Sequence, residues 1–581
     1  MCGILGVRRS SRLLFARFDA ALESLRWRGR DALCRAEAGD WSLGVARLAI
    51  TDRGHDQPIR CEASGRVAVL NGALTDAASQ WPRFPQARTR NDAELLLLRF
   101  AADGAAGLLA LTGPYAFALV DPIRDELWLG RDPCGEKPLW LVHDGTRVVA
   151  FASTVPALEA LGLSITLPDA ERARLLRFGF AQSAPRAVGG LELVDVPSGV
   201  FVDRARGALL EQTDRGGVTR TPQRFSHAFR DGVARCASAE QPVALALSGG
   251  IDSACVAAEL VAQGHRPRAF QLRADGEDPA ERAQASTVAA RLGLELVPVD
   301  LDASVLARAP QLAAWSSLPL GDPSVLAVFA LARAVAASGA RVLLSGEGAD
   351  EVLLGYPRHR ALRVLLRVPR ALRRFAPAGD GLSMTRGARF LRAARADDAH
   401  EALLEASPAA FRRAVLVPEL HHADLPAPRA PGWHGVRERE ITQYLRGDLL
   451  PKLDVATLAA QIEGRCPFLD PAVLACDEVA GDPLAVFGKR PLRVRFAAEL
   501  PRGHFAQKKR GFAVPLDRWW RSDDALPDLL LDKRTLERGA LDPGGVRRMV
   551  DAQRKGTLML GHALWLLVAD ELWHRAREAV R

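Results

Sequence analysis

The 581-residue sequence predicts a two-domain α/β protein: an antiparallel sandwich, then a parallel sheet wrapped in helices with a mostly helical C-terminal part. Three observations predict it. From residue 1 to about 205 the apolar runs are short and strand-like, with turn residues between them. From about 222 onward strand-like and helical runs alternate, the texture of a parallel sheet. The chain is also too long for one hydrophobic core.

Taken in order, "CGILGV", "WSLGVARLAI", "RVAVLNG", "YAFALVD", "ELWLGRD" and "RVVAFAS" read as strands. "DAELLLLRFAADG" is the main amphipathic helix among them. The stretch "DVPSGVFVDRARGALLEQTDRGGVTRTPQ" is rich in turn residues and reads as the bridge to the second domain, 222–581. There "PVALALSGG" is a strand closed by Gly-Gly and followed by the helical "DSACVAAELVAQG". "RAFQLRA" precedes the helical "PAERAQASTVAARLG", and "ARVLLSGEGADE" repeats the strand-to-loop step. No internal repeat or low-complexity linker interrupts the pattern.

Composition narrows the class. Nearly half the residues are hydrophobic and mean hydropathy is near zero, as in a soluble globular protein. The net charge of +9 invites a nucleic-acid reading. The basic residues, however, are nearly all Arg and read as dispersed among acids, so no nucleic-acid partner is expected. No apolar run reaches the roughly 18 residues of a membrane span, and no signal segment is present, so no membrane partner is expected either. The eight cysteines form no CxxC pair and no metal spacing, and read as reduced thiols of a cytoplasmic protein.

"LALSGGIDS", Leu245 to Ser253, is the most specific motif. A buried strand ending near Ser248, a sharp turn at Gly249 and Gly250, and an immediate helix leave backbone N–H groups pointing at an anion. Leu247 is expected beside the nucleotide, Ser248 and Ser253 add hydroxyl donors, and Asp252 can hold Mg²⁺ against phosphate oxygens. The motif differs from the kinase-type P-loop. A second acidic loop, "LLSGEGADE", carries Ser345, Gly346, Glu347 and Asp350. Loops after parallel strands share one sheet edge, so Asp350 is expected beside Asp252, with Mg²⁺ between them.

These stretches resemble the bacterial type of glutamine-hydrolysing asparagine synthetase, and the likeness covers nearly the whole chain. "RLAI", "GHDQP", Asn71-Gly72, "NDAE" and "GRDPCGEKPLW" fit its glutaminase half; "GDPS", "YLRGDLLPKLD", "EGRCPFLD", "GKRPLR", "KKRGFAVPLDRWW" and "ALWLLVADELW" fit its synthetase half. The resemblance implies an N-terminal-nucleophile (Ntn) hydrolase sandwich of αββα type over 1–205, then a PP-loop ATP-pyrophosphatase domain. It implies that Cys2, once Met1 is removed, attacks glutamine with its own α-amine as base. Asn71 and the Gly72 N–H would hold the oxyanion. Arg47 and Asp92 would bind the carboxylate and ammonium of glutamine. ATP and Mg²⁺ would lie between the two loops, Lys489 would neutralise charge at the α-phosphate, and Glu347 would assist attack by the amine. Related β-lactam synthetases carry Tyr at the Glu347 position. Lys508, Lys509 and Arg510 line the pyrophosphate exit or form a solvated basic turn.

The sequence departs from the family pattern in four places. Ala73 stands where N-G-E has Glu, a loss worth about 2 kcal/mol or more in glutamine binding. Arg30 replaces the Pro of R-G-P-D, Val455 replaces the Arg of V-D-R, and "EGRCPFLD" replaces E-V-R-V-P-F-L-D. Two readings stay open. One is aspartate amidation with ammonia from glutamine; the other is an amide synthetase, such as a lasso-peptide macrolactam cyclase, that takes a peptide or other amine. A homodimer is compatible with both.

Overall fold

The computed structural model describes residues 2–181, 186–204, 211–214, 220–274, 279–377, 381–506 and 514–579. Two antiparallel sheets occupy the N-terminal part. The first runs β10-β11-β8-β9-β1-β3-β2, with β1 (Cys2–Arg8), β2 (Ala32–Ala38), β3 (Trp41–Arg47), β8 (Trp140–His143), β9 (Val148–Ala152), β10 (Arg186–Val188) and β11 (Leu191–Asp195). The second runs β13-β12-β7-β6-β5-β4, with β4 (Ile59–Arg60), β5 (Val67–Gly72), β6 (Tyr115–Asp121), β7 (Glu126–Arg131), β12 (Gly199–Arg204) and β13 (Glu211–Asp214). The stretch read from sequence as a turn-rich bridge therefore supplies β12 and β13. Its glycines and charges hide two strands, β12 paired on β7 and β13 paired on β12 at the sheet edge.

The two inner faces share one core, where Ile4, Leu43 and Val45 meet Val69, Ala118 and Leu129. Helices Phe18–Glu23 and Val155–Ala160 cover the outside of the first sheet. Helix α1 (Asp92–Asp103) covers the second through Leu95, Leu96 and Phe100. Its start is fixed by Asn91, whose side chain accepts from the Ala93 N–H at 3.1 Å. The result is an αββα sandwich, in which each buried Leu or Phe contributes about 1.5–3 kcal/mol.

The second part holds a five-stranded parallel sheet ordered β16-β15-β14-β17-β18: β14 (Val243–Ala246), β15 (Arg268–Ala274), β16 (Leu296–Leu301), β17 (Val342–Leu344) and β18 (Glu463–Arg465). Helix α2 (Ile251–Ala262) follows β14, and α3 (Ser324–Ala337) precedes β17. The strand order changes direction between β14 and β17, so the loops after those strands flank a crevice where open α/β sheets take ligands. A π-helical stretch, Glu440–Leu449, runs straight into α4 (Leu450–Ala459), and α5 (Gly561–Glu578) closes the fold. No helix among the described residues is long and apolar enough to cross a membrane.

The two halves meet at a buried ion pair. Arg28, with no exposed side-chain surface, donates to Asp454 of α4 at 2.7 and 3.1 Å and to the Cys2 carbonyl at 3.3 Å. Beside it Trp27 stacks on Trp315 at 5.0 Å. Replacing one partner of such a pair leaves a naked buried charge, at a cost of about 3–5 kcal/mol. Arg28→Met is therefore expected to lower stability by that amount in chemical denaturation. Arg28→Met with Asp454→Leu is expected to recover most of it.

Candidate active site

Two clusters form, one in each half. In the first, Cys2 opens β1 opposite Arg47 on β3 and is buried. Its backbone N–H donates to Asn71 Oδ1 at 3.1 Å, at the end of β5. Asn71 is fully buried, and its Nδ2 has no partner among the described residues, which leaves a donor for a developing oxyanion. Gly72 follows it, opposite Tyr115 of β6. Arg47 is buried too; its guanidinium donates to Asp56 at 2.7 Å and to the Thr51 carbonyl at 3.1 Å. Asp92 begins α1 and accepts from the Leu74 N–H at 3.0 Å. Burial pushes its carboxyl up to about 7 against that bond.

Two of the departures sit away from this cluster. Arg30 is exposed, and only its backbone is used: its N–H donates to Gln461 Oε1 of the other half at 3.0 Å, a bond Pro could not make. Val455 lines a cavity of about 460 Å³ between the halves, together with Arg28, Asp454, Arg131, Arg446 and Trp315. Ala73 lies at the cluster itself, buried with its N–H on the Pro114 carbonyl at 2.9 Å.

The second cluster gathers at the crevice. Strand β14 ends at Ala246, two residues before the end read from sequence, although the Leu247 N–H still reaches the Phe270 carbonyl at 2.9 Å. Gly249 has φ +77°, and a Cβ there would lie 2.7 Å from the Ala285 nitrogen, so only glycine turns the chain at this point. Ser253 Oγ sits 3.1 Å from Ser248 Oγ and accepts from the Ser248 N–H at 3.2 Å. In the facing loop the Ser345 N–H donates to the Arg465 carbonyl at 3.0 Å, and Ser345 Oγ accepts from the Glu347 N–H at 3.2 Å. Gly346 lies so close to Asp252 that a Cβ would stand 2.9 Å from the aspartate's own Cβ.

Lys489 joins the two loops. Its ammonium lies 2.6 Å from Asp252 Oδ1 and 2.7 Å from Asp350 Oδ1. Its backbone is in the left-handed region at φ +64°, a strained conformation for a side-chain-bearing residue. Two carboxylates that converge on one cation offer the kind of oxygen donors that Mg²⁺ takes. Nearby, Lys452 of α4 lies 2.9 Å from Asp322 and 3.9 Å from Glu347. Burial works against its charge, but Asp322 and Glu347 push its pKa up overall. Burial, with Asp322 close by, raises the Asp448 carboxyl well above the usual range. Glu351 is raised to about 7 by burial, although the Tyr356 hydroxyl donates to it at 2.5 Å.

Sequence reasoning missed the residues behind this wall. Glu440, wholly buried, accepts from Arg358 at 2.8 Å and lies 2.8 Å from both His359 Nε2 and His400 Nε2. Burial favours its neutral form, but Arg358 and His359 hold it well below the usual carboxylate range. Arg358 in turn lies over the Tyr356 ring at 3.7 Å and the Tyr444 ring at 4.4 Å. Arg358, His359 and His400 lie 82, 81 and 40 positions from Glu440, with no spacing that could have signalled the contact. Arg28 was legible only as part of "WRGRD", and its partner Asp454 only as part of "PKLD". The basic turn 508–510 lies outside the described residues.

The profile of the asparagine synthase family matches residues 224–575, and that of the glutamine amidotransferase domain matches residues 1–204. The chain belongs to the asparagine synthase family. It is similar to a Mycobacterium tuberculosis protein provisionally named as a glutamine-hydrolysing asparagine synthetase, with 30% identity over 621 residues, 95% of this chain and 92% of the relative. Glutamine-hydrolysing asparagine synthetase 1 of Bacillus subtilis is 25% identical over 518 residues, 83% of this chain and 81% of its own. A Penicillium rubens protein named amidase chyE is 29% identical over 378 residues, 59% of this chain and 55% of its own. By family the protein is an ATP-dependent, glutamine-hydrolysing ligase.

Gly355 gives this cluster a sharp test. A Cβ there would fall 2.1 Å from Lys489 Cε and 2.3 Å from Asp350 Oδ1. Such overpacking costs about 1–3 kcal/mol, which is about ten- to a hundredfold in rate if it falls on the transition state. Gly355→Ala is expected to slow ATP-to-AMP turnover by that factor while glutamate release from glutamine stays within twofold or so of the parent.

Proposed function

We propose that this ligase adenylates a carboxylate, aspartate first among the candidates, and transfers to it ammonia drawn from glutamine, releasing AMP and pyrophosphate. The observation that carries the reading is the unbroken link from nucleophile to synthetase cluster. The Cys2 carbonyl is bound to Arg28, Arg28 to Asp454, and the helix of Asp454 also carries Lys452 beside Glu347. With Met1 removed, the Cys2 nitrogen becomes an amine next to Asn71 and takes the thiol proton as sulfur attacks the amide carbon. Asn71 Nδ2 and the Gly72 N–H then stabilise the tetrahedral oxyanion. Arg47 exchanges its contact with the half-exposed Asp56 for the glutamine carboxylate, and Asp92 meets the ammonium group. The cavity beside Arg28, Asp454 and Val455 gives the released ammonia a sheltered volume at the interface.

In the other half the β- and γ-phosphates of ATP lie against Ser248, Gly249, Gly250 and Ser253, near Leu247, with Ser345 and Gly346 opposite. Asp252 and Asp350 would hold Mg²⁺, which offsets phosphate charge. The substrate carboxylate oxygen attacks the α-phosphorus and the bond to pyrophosphate breaks. Lys489 neutralises charge on the α-phosphate. Glu347 takes a proton from the attacking amine.

A second reading replaces ammonia with another amine. Ala73 favours it, since it removes a carboxylate from the glutamine pocket, and so do the fungal relatives named as amidases. Two measurements decide. ATP–pyrophosphate exchange should depend on aspartate, and glutamate should be released from glutamine; absence of both overturns the first reading. Cys2→Ala is expected to lose glutamine-dependent amide formation and keep the ammonia-dependent reaction.

The pH profile tests the role of Asp92. Its carboxyl is protonated below about 7, and only the carboxylate binds an ammonium. On the acid side kcat/KM for glutamine should therefore fall roughly tenfold per pH unit below that value. In Asp92→Asn this acid limb is expected to disappear, with kcat/KM low throughout.

A further inference from the structure

The positive charge of this chain is concentrated in one place. Residues 357–396 carry eleven arginines against one aspartate, a net of +10, while the whole chain carries +9. The impression of arginines scattered among acids holds for the rest of the sequence and fails here. The same segment holds Val364, Leu366, Val368, Leu372 and Phe375, with exposures of 52, 50, 39, 60 and 74%. These are half of the large exposed hydrophobics among the described residues.

The local structure explains why they stand outside. Helix Pro357–Leu365 turns His359, Leu362 and Leu365 inward and leaves Arg360, Arg363 and Val364 on its outer face. Leu366 ends it, Pro369 starts the short helix Arg370–Arg373, and neither that helix nor its flanks turn a large residue into the core. Arg363 packs over Phe487 at 4.8 Å and Arg374 over Phe375 at 5.1 Å, so the guanidinium groups border the apolar side chains. Arg370 is paired with Asp397, and Arg395 donates to the Ala376 carbonyl at 3.2 Å, which ties helix Arg386–Arg395 to the same surface.

We propose that this face, residues 360–376, docks the protein on an anionic phospholipid surface. Leu366, Val368, Leu372 and Phe375 enter the headgroup boundary, and Arg360, Arg363, Arg367, Arg370 and Arg374 lie among lipid phosphates. Arginine without apolar neighbours would suit a nucleic acid, and an apolar face without arginine would suit a second copy of the chain. The two together match a membrane interface, where aromatic and aliphatic tips insert and each basic residue adds about 1 kcal/mol of attraction to anionic lipid. Long arginine stems can cover apolar surface while their heads reach phosphate. The attachment is peripheral, consistent with the lack of a spanning helix. The segment leaves the synthetase cluster directly after Tyr356, so the bound face lies beside the site without taking part in it.

Co-sedimentation of the full-length protein with vesicles tests this. Vesicles of phosphatidylcholine alone are compared with a 70:30 mixture of phosphatidylcholine and phosphatidylglycerol. Partition on to the anionic vesicles should exceed that on to neutral ones by at least about tenfold in low salt and fall steeply as salt rises. Leu372→Ser with Phe375→Ser, and separately Arg363→Gln with Arg367→Gln and Arg374→Gln, should each reduce it about tenfold or more, with ATP turnover unchanged. Equal partition on both vesicles overturns the proposal. So does anionic binding that the serine variant leaves intact, because charge alone would then explain it. Binding to duplex DNA without vesicle binding, or self-association that the serine variant abolishes without vesicle binding, also overturns it.

Discussion

The guanidinium of Arg28 has left water entirely, and what it loses in hydration must be offset by three oxygens: both of Asp454 and the carbonyl of Cys2. Desolvating an ion costs several kcal/mol, and a buried pair compensates only when its geometry is good and its other donors are satisfied. That requirement fixes the distance between β1 and α4, and so the placement of the halves. Residues two apart on a helix project about 200° from each other. On α4, Asp454 faces Arg28 while Lys452 faces Asp322 and Glu347. One helix thus touches the strand of Cys2 through Arg28 on one side and the second cluster on the other. A shift in either cluster has a rigid element through which the other can feel it.

The crevice depends on the same economy of charge. Asp252 and Asp350 come from loops after neighbouring strands, and two carboxylates brought together repel each other unless a cation lies between them. Lys489 supplies the cation from a third loop. Its left-handed backbone and the bare Gly355 beneath its side chain are the concessions that let it reach there. Strain at a site persists only where the surroundings over-determine it. Here both carboxylates hold the ammonium, and the Lys489 N–H also reaches the Leu353 carbonyl at 3.3 Å.

What the sequence disclosed follows from how local each signal is. Strand-loop-helix motifs such as "LSGGIDS" and "LLSGEGADE" encode their geometry within a few residues, so the crevice could be read before the structure, while the αββα order and the PP-loop assignment rested on the family resemblance. Strand β12 sits in a run of glycine and charge, and its apolar alternation is too short to stand out from the surrounding turns. Arg28–Asp454 spans 426 positions, and the Glu440 network joins residues 358, 359, 400 and 440. Contacts of that kind arise only when the chain is folded, because no period links them. The exposed basic face escaped for a different reason. An average over 581 residues hides a segment that outweighs the rest of the chain in charge.

Ala73 sets the balance in the proposed glutamine pocket. With a second carboxylate missing, a substrate ammonium would have Asp92 alone to answer it. Raising that carboxyl from its ordinary 3.8 to about 7 corresponds to roughly 4 kcal/mol disfavouring its charged form. An ammonium about 4 Å away returns roughly 4 kcal/mol at the effective dielectric of a protein interior near its surface. Above about pH 7 the carboxylate is already formed and that attraction is open to a ligand; below it the cost of ionising Asp92 falls on binding. In the proposed pocket Arg47 at the carboxylate and the Asn71 donor at the amide would supply the rest of the hold on glutamine. Of these contacts, the one from Asn71 would grow as negative charge gathers on the amide oxygen. That is the distribution of binding energy a nucleophilic cysteine needs.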